Sequence, residues 1–262
     1  DLGEMFGFGD IFGGAGGASG RGRDAQAEVT ITFAEMIGGV KKTVTLPLQA
    51  KCEKCGGTGG APGAKEETCR TCGGRGRVNK QIKTMFGAIA RSGTCPDCAG
   101  RGKTFSQKCP DCGGAGRLKR KVSVEVDIPP GIGDGQTIVV SGKGEAGVGG
   151  APAGDLLLTV RVSPAEGFER RGDNILTRRH ISFAQAALGD KIEVKTPEGG
   201  TVKMKVPAGT QPGEIFRVRG RGVPRLRGFG RGDLLVEILV DVPTKLSRSQ
   251  KELIKQLRDL SG

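Results

Sequence analysis

All eight cysteines of the chain fall into four units of one pattern, C-x-x-C-x-G-x-G: CEKCGGTG at Cys52–Gly59, CRTCGGRG at Cys69–Gly76, CPDCAGRG at Cys95–Gly102 and CPDCGGAG at Cys109–Gly116. A C-x-x-C pair sets two thiolates on one tetrahedral ion, and the glycines after it let the backbone turn its N–H groups toward the sulfurs. Four such pairs make two four-cysteine sites for Zn2+, two ions per chain. With four protein ligands on each ion no coordination position stays open, so the sites are structural rather than hydrolytic. Two pairings are open. A sequential one joins Cys52/Cys55 with Cys69/Cys72 and Cys95/Cys98 with Cys109/Cys112. A nested one joins Cys52/Cys55 with Cys109/Cys112 and Cys69/Cys72 with Cys95/Cys98. The competing chemistry is thiol–disulfide exchange, but that use of C-x-x-C generally places one motif on a helix N-terminus to lower the thiol pKa. Here each motif runs into glycine, and a metal would consume the thiolates. Cysteine in metal-ligand spacing also indicates a reducing compartment.

Other chemistry is weakly supported. Gly142–Gly147 satisfies G-x-G-x-x-G, but Gly- and Ala-rich loop follows it instead of the helix a phosphate would need. His180 is the single histidine, no acid/base or nucleophilic constellation surrounds it in the sequence, and the chain carries no enzyme signature. The formal charge is +13, and two filled zinc sites would bring it to about +9. Basic runs at Arg117–Lys121 and Arg217–Arg231 raise nucleic acid as an alternative partner. Without Tyr or Trp, and with Phe229 as the one aromatic of the second run, stacking platforms for single strands are missing. No apolar run approaches the ~20 residues that span a bilayer.

The cysteines must be positioned by a duplicated host. Ile128–Gly144 aligns without gaps on Val206–Gly222, 78 residues on, and Gly154-Asp155 falls on Gly232-Asp233 at the same offset. Ile31–Val44 aligns on Ile181–Val194 at an offset of 150. The first copy therefore holds 72 extra residues, at 49–120, which are the cysteine module. Both ends of an insertion leave its host sheet close together, since neighbouring strands lie ~5 Å apart. That favours the nested pairing, with the outermost pairs clamping the base.

Alternating apolar residues predict strands around Val29/Ile31/Phe33, Val44/Leu46/Leu48, Val122–Ile128 and Leu156–Val162, with equivalents at Ile192/Val194, Val202–Val206, Phe216/Val218 and Leu234–Val240. FAEMIGG and FAQAALG read as one short helix per repeat. Ser247–Leu260 carries Leu253, Ile254, Leu257 and Leu260 at helical spacing behind a capping box of Ser247 and Gln250. The expected fold is mainly β: two tandem β-sandwich-like repeats, a Cys-rich zinc module inserted in the first, and a short C-terminal helix. The divisions are a Gly/Phe-rich linker at 1–20, a first β-domain at 21–165 holding the module, a second at 166–243, and a helical end at 244–262 whose apolar face docks on the β-body or on a twin chain. An edge strand beside an apolar pocket takes up extended peptides, and Val44, Leu46 and Phe168 are candidates to line such a groove, the alternative being that they are ordinary core residues.

The four cysteine units inside the first of two β-repeats, after a Gly/Phe stretch containing Asp10-Ile11-Phe12-Gly13, closely resemble the zinc-finger class of the DnaJ co-chaperones over the whole chain. The resemblance implies a cytoplasmic, zinc-binding homodimer that holds unfolded clients in the first β-domain and passes them to a DnaK-type ATPase. It implies nested ligand sets: Cys52, Cys55, Cys109, Cys112 and Cys69, Cys72, Cys95, Cys98. The family's J-domain acts through a His-Pro-Asp tripeptide, whereas His180 is followed by Ile181. The chain is thus expected to bind clients without stimulating the ATPase.

Overall fold

The computed structural model describes residues 20–84 and 87–260, so all but the last residue of the expected Gly/Phe linker lies outside the described residues. The first copy of the repeat runs β1 (Ala25–Ile31), α1 (Phe33–Gly38) and β2 (Val40–Lys51). The cysteine module follows with β3 (Glu66–Thr68), β4 (Arg77–Thr84), β5 (Gly87–Thr94) and β6 (Lys103–Phe105). The first copy then resumes with β7 (Arg117–Ile128), β8 (Thr137–Val140) and β9 (Leu156–Val162). The second comprises β10 (Phe168–Arg171), β11 (Asn174–Ser182), α2 (Phe183–Leu188), β12 (Asp190–Lys195), β13 (Thr201–Val206), β14 (Ile215–Val218) and β15 (Leu234–Asp241), before a terminal α3 (Arg248–Leu260).

The duplication is written in hydrogen bonds at the same two offsets. The Gly142 N–H donates to Asp155 Oδ1 at 2.8 Å, and the Gly220 N–H to Asp233 Oδ1 at 2.9 Å. Asp155 N–H in turn donates to Asp24 Oδ1, and Asp233 N–H to Asn174 Oδ1, both at 2.8 Å. Gly131 N–H reaches the Met36 carbonyl at 2.8 Å as Gly209 N–H reaches that of Ala186 at 2.9 Å.

Phe33 is not in a strand, as the alternation had suggested, but opens α1. Thr32 and Glu35 form a capping box that ends β1 and starts the helix, as Ser182 and Gln185 do for α2. Each helix stops after six residues at a left-handed glycine, Gly39 (φ 74°) or Gly189 (φ 77°). A Cβ on Gly39 would come within 3.1 Å of the Ile128 carbonyl, and one on Gly189 within 3.0 Å of that of Val206. Glycine at these stops lets the helix end press on the strand that follows in space.

The backbone falls into two compact units, and four of their five boundaries lie inside β1, β2, β7 and β9. In one (20–29, Thr43–Val126, Thr137–Thr159), the sheet β1-β9-β8 and the ribbon β2-β7 enclose Ala25, Leu46, Leu48, Val124, Val126, Leu156 and Leu158, a small β-sandwich. β2 runs on to Lys51 and β7 starts at Arg117, past both expected module borders, so Cys52 and Gly116 sit at the strand ends themselves.

The other unit (Thr30–Lys42, Asp127–Gln136, Val160 onward) holds the sheet β10-β11-β15-β14 and the ribbon β12-β13. β11 and β15 pair in parallel from Ile175↔Leu234 to Ser182↔Asp241. Phe168 of β10 stacks on Phe33 with ring centroids 6.3 Å apart. Arg170 of the same strand donates to the carbonyls of Ile132 (2.5 Å) and Gly131 (2.9 Å), and burial pushes its pKa down from the usual value.

Leu158 is fully buried and Leu188 is 81% exposed. Leu158→Ala is expected to lower stability by about 2–5 kcal/mol, and Leu188→Ala by less than about 0.5 kcal/mol. Urea unfolding followed by circular dichroism measures both.

Candidate metal centres

The structure brings the eight sulfurs into two groups, Cys52/Cys55/Cys109/Cys112 and Cys69/Cys72/Cys95/Cys98, with the sulfurs of each within 4.8 Å of one another. Seven of the eight cysteines are buried, Cys55 is partly exposed, and none forms a disulfide. Across the first group Cys52 and Cys109 stand 3.9 Å apart and Cys55 and Cys112 3.8 Å. Across the second, Cys69–Cys95 is 3.8 Å and Cys72–Cys98 3.7 Å. Four bonds of ~2.3 Å at the tetrahedral angle place sulfurs about 3.8 Å apart. Each group therefore has the size and the donor set to hold one metal ion.

The C-x-x-C-x-G-x-G loops, here called knuckles one to four, build these groups reciprocally. Knuckle one pairs with four, and two with three. Cys52 N–H donates to Gly116 O and Cys109 N–H to Gly59 O; Cys69 N–H donates to Gly102 O and Cys95 N–H to Gly76 O, all at 2.9–3.0 Å. The last glycine of each knuckle also turns its N–H onto its own second cysteine sulfur: Gly59, Gly76, Gly102 and Gly116 lie 3.2–3.3 Å from Cys55, Cys72, Cys98 and Cys112.

These contacts explain the glycines. A Cβ on Gly59 would lie 2.3 Å from the Gly114 carbonyl oxygen, one on Gly116 2.3 Å from that of Gly57, one on Gly76 2.4 Å from that of Gly100 and one on Gly102 2.2 Å from that of Gly74. No side chain fits there. The residue right after the second cysteine is different: it is left-handed, yet a Cβ at Gly56, Gly73 or Gly113 would meet nothing within 4 Å. Ala99 occupies the matching place in knuckle three, at φ 49°.

Electrostatics within the first group favour a cation. The Cys55 N–H favours the Cys52 thiolate, but burial and the neighbouring Cys55, Cys109 and Cys112 sulfurs outweigh it and push the Cys52 thiol up to about 11. Burial opposes ionisation of Cys55 too, yet the N–H groups of Gly59 and Gly57, with Cys52 and Cys112, bring it down to about 7. In the second group the Cys72 N–H is the main influence that lowers Cys69 to about 7. One thiolate forms readily and then resists a second, a conflict that a divalent ion removes.

Side chains between the cysteines carry a pairing signal that sequence reasoning did not use. The third positions of knuckles one and four, Lys54 and Asp111, form an ion pair at 2.9 Å, and those of two and three, Thr71 and Asp97, are hydrogen-bonded. Sequential pairing would have set Asp97 against Asp111.

The remaining candidates are placed as follows. Leu46 is 8% exposed in the sandwich core, and Val44 packs partly buried against that core. Phe168 belongs to the other unit, on Phe33. His180 Nδ1 lies 2.7 Å from Asp241 Oδ1, both side chains exposed. Of the second basic run, Arg217 pairs with Asp233, Arg225 with Asp173, and Arg221 and Arg231 with Glu198. In Gly142–Gly147, Gly144 and Gly147 are pressed against the backbone carbonyls of Asp155 and Ala151, leaving no room for a phosphate.

Comparison with known proteins finds relatives over this whole duplicated β-fold and its inserted four-knuckle module. Residues 25–243 match the family model for the DnaJ C terminal domain. The chain is 46% identical to the chaperone protein DnaJ of Brevibacillus choshinensis over 271 residues, covering 100% of this chain and 72% of that protein. It is 44% identical to that of Halalkalibacterium halodurans, over 99% of this chain and 72% of the relative, and 46% identical to that of Bacillus cereus strain B4264, over 98% and 71%. The chain belongs to the DnaJ family.

Gly59→Ala is expected to lower the metal affinity of the Cys52 group roughly 10–100-fold, as losing support around the ligands does. Gly56→Ala, which adds a methyl group in open space, is expected to keep it and to cost about 1–2 kcal/mol of stability. Chelator competition and urea unfolding separate the two.

Proposed function

We propose that this chain is the client-holding part of a DnaJ-type co-chaperone, which binds unfolded or hydrophobic polypeptide segments and delivers them to a DnaK-type ATPase. The observation that carries the reading is the similarity along the whole chain to proteins named as DnaJ chaperones. The mechanism is binding, with no covalent step.

Zinc is the ion that four thiolates in a closed tetrahedral set take. Cys52, Cys55, Cys109 and Cys112 would hold one ion and Cys69, Cys72, Cys95 and Cys98 the second. Bound there, zinc supplies no open coordination position; it staples backbone, worth on the order of 10 kcal/mol per site. Cysteines in metal-ligand spacing support a cytoplasmic setting. Among the described residues no helix is long and apolar enough to cross a membrane.

Client segments add to β2 as an extra strand. Among the described strands β2 pairs with β7 alone. Its Pro47, which has no N–H to donate, is tolerated where ladder positions stay unpaired. Val44 is the apolar contact on that strand, while Leu46 is closed off in the sandwich core and supports the strand from inside. Phe168 is a separate contact, beside a hollow of about 180 Å3 shared with Leu176 and Thr177.

The partner of α3 is a second copy of the chain. Leu253, Ile254, Leu257 and Leu260 are 44–86% exposed. With Phe183, Val242, Pro243 and Leu246, the first three line a groove of about 950 Å3. A 13-residue helix is marginal alone, so covering this face stabilises both helix and pair.

Binding of a labelled unfolded peptide, followed by fluorescence anisotropy, is expected to persist when salt is raised, because apolar contacts carry it. A fall of roughly 10^3-fold or more would instead mark a phosphate-rich or acidic ligand. Removing residues 246–262 is expected to turn dimers into monomers in sedimentation velocity; an unchanged mass refutes the role of α3.

A further inference from the structure

The two cysteine groups are built by different knuckles, yet one side chain spans them. Arg101 belongs to knuckle three, next to Gly102, and so to the Cys69 group. Its Nε donates to the Cys98 carbonyl of its own knuckle at 3.0 Å. Its Nη1 donates to the Thr58 carbonyl in knuckle one at 2.5 Å, and its Nη2 to the Gly114 carbonyl in knuckle four at 3.1 Å. Those two carbonyls belong to the Cys52 group. Gly114 O is also the atom that approaches Gly59 so closely, and a Cβ on Gly59 would stand 2.9 Å from Arg101 Nη1. The guanidinium thus sits in the seam where knuckles one and four meet.

The position is singular among the four repeats. The residues equivalent to Arg101 are Thr58, Arg75 and Ala115. Thr58 Oγ1 donates to the Cys55 carbonyl at 2.8 Å, and Arg75 Nε to that of Cys72 at 3.3 Å. Among the described residues these two bonds stay inside one knuckle. Arg101 alone adds a reach to the other group. Its guanidinium carbon lies 6.0 Å from the Phe105 ring centroid, and Phe105 packs on Gly60 at the exit of knuckle one. Behind it, a Cβ on Gly149 would come within 2.7 Å of Arg101 Cδ, so the stem is walled in as well.

We infer that Arg101 is a positioning residue that couples the two metal groups. Filling the Cys69 group fixes knuckle three and hence the guanidinium, which holds the carbonyls that shape the Cys52 group. This rests on the reading that both groups bind zinc. Four thiolates on a divalent ion leave each group at −2, so both favour a cation held between them. Charge-assisted bonds from one planar, forked donor to three carbonyls fix direction in a way that a lysine point charge does not.

The test is chelator-driven zinc release from the intact chain, read with a chromogenic indicator, in four forms: unaltered, Arg101→Ala, Cys69→Ser/Cys95→Ser, and the three changes combined. Two ions per unaltered chain is the control for the metal reading itself; fewer than two overturns that reading and the coupling with it. With two ions present, Arg101→Ala is expected to speed release from the Cys52 group about tenfold or more. Emptying the second group by Cys69→Ser/Cys95→Ser should speed it similarly, and the combined form should be no faster than either. Arg101→Lys should recover only part of the loss. Unchanged release in Arg101→Ala, full recovery in Arg101→Lys, or effects that multiply in the combined form would each overturn the coupling, the last because it would make Arg101 an independent support.

Discussion

Each metal group depends on one close contact: the last glycine of a knuckle lies against a backbone carbonyl of the opposite knuckle, where a Cβ would come to 2.2–2.4 Å. Because the contact is reciprocal, it fixes which knuckles meet. It aligns the cross-knuckle N–H to carbonyl bonds from the first cysteines, and it turns the glycine N–H groups onto the second cysteine sulfurs. Each pair thereby presents four sulfurs in a ready tetrahedron. A metal ion held there would reinforce the backbone: it would need the knuckles closed, and the knuckles close only where no side chain intervenes.

The same constraint joins the module to its host. Knuckle one starts where β2 ends and knuckle four ends where β7 begins, so the Cys52 N–H to Gly116 O bond continues the β2-β7 ribbon outward. The ribbon is one wall of the sandwich around Leu46, Leu48, Val124, Val126, Leu156 and Leu158. Clamping its outer end holds β2 extended; on its second edge the Gln49 carbonyl accepts from the Ala146 N–H at 2.7 Å, and no other described strand pairs with it. On the proposed function, a client strand would add to the part of this edge that is left open.

Much of this was legible in the sequence for definite reasons. Repeats at two different offsets reveal an inserted segment whatever the fold, and the β-rich, duplicated class follows from alternation at Leu156–Val162 and Leu234–Val240. Phe33 misled because alternation continues one residue past Thr32, where the capping box takes over. Leu46 reads the same in sequence whether its pocket is open or filled; only the facing Val124 and Leu156 show that it is core. The Lys54–Asp111 pair was visible as residue types but not as a contact until the knuckles were paired. Arg101 gave no signal at all, since its distinction from Arg75 lies in what surrounds it.

The central claim, two closed four-sulfur zinc sites that staple an inserted arm, is tested most directly by X-ray absorption at the zinc edge on the purified chain, with metal content measured on the same sample. The account predicts two zinc ions per chain and a single shell of four sulfurs at about 2.3 Å. Nitrogen or oxygen in that shell, or one ion shared among the eight cysteines, would contradict it.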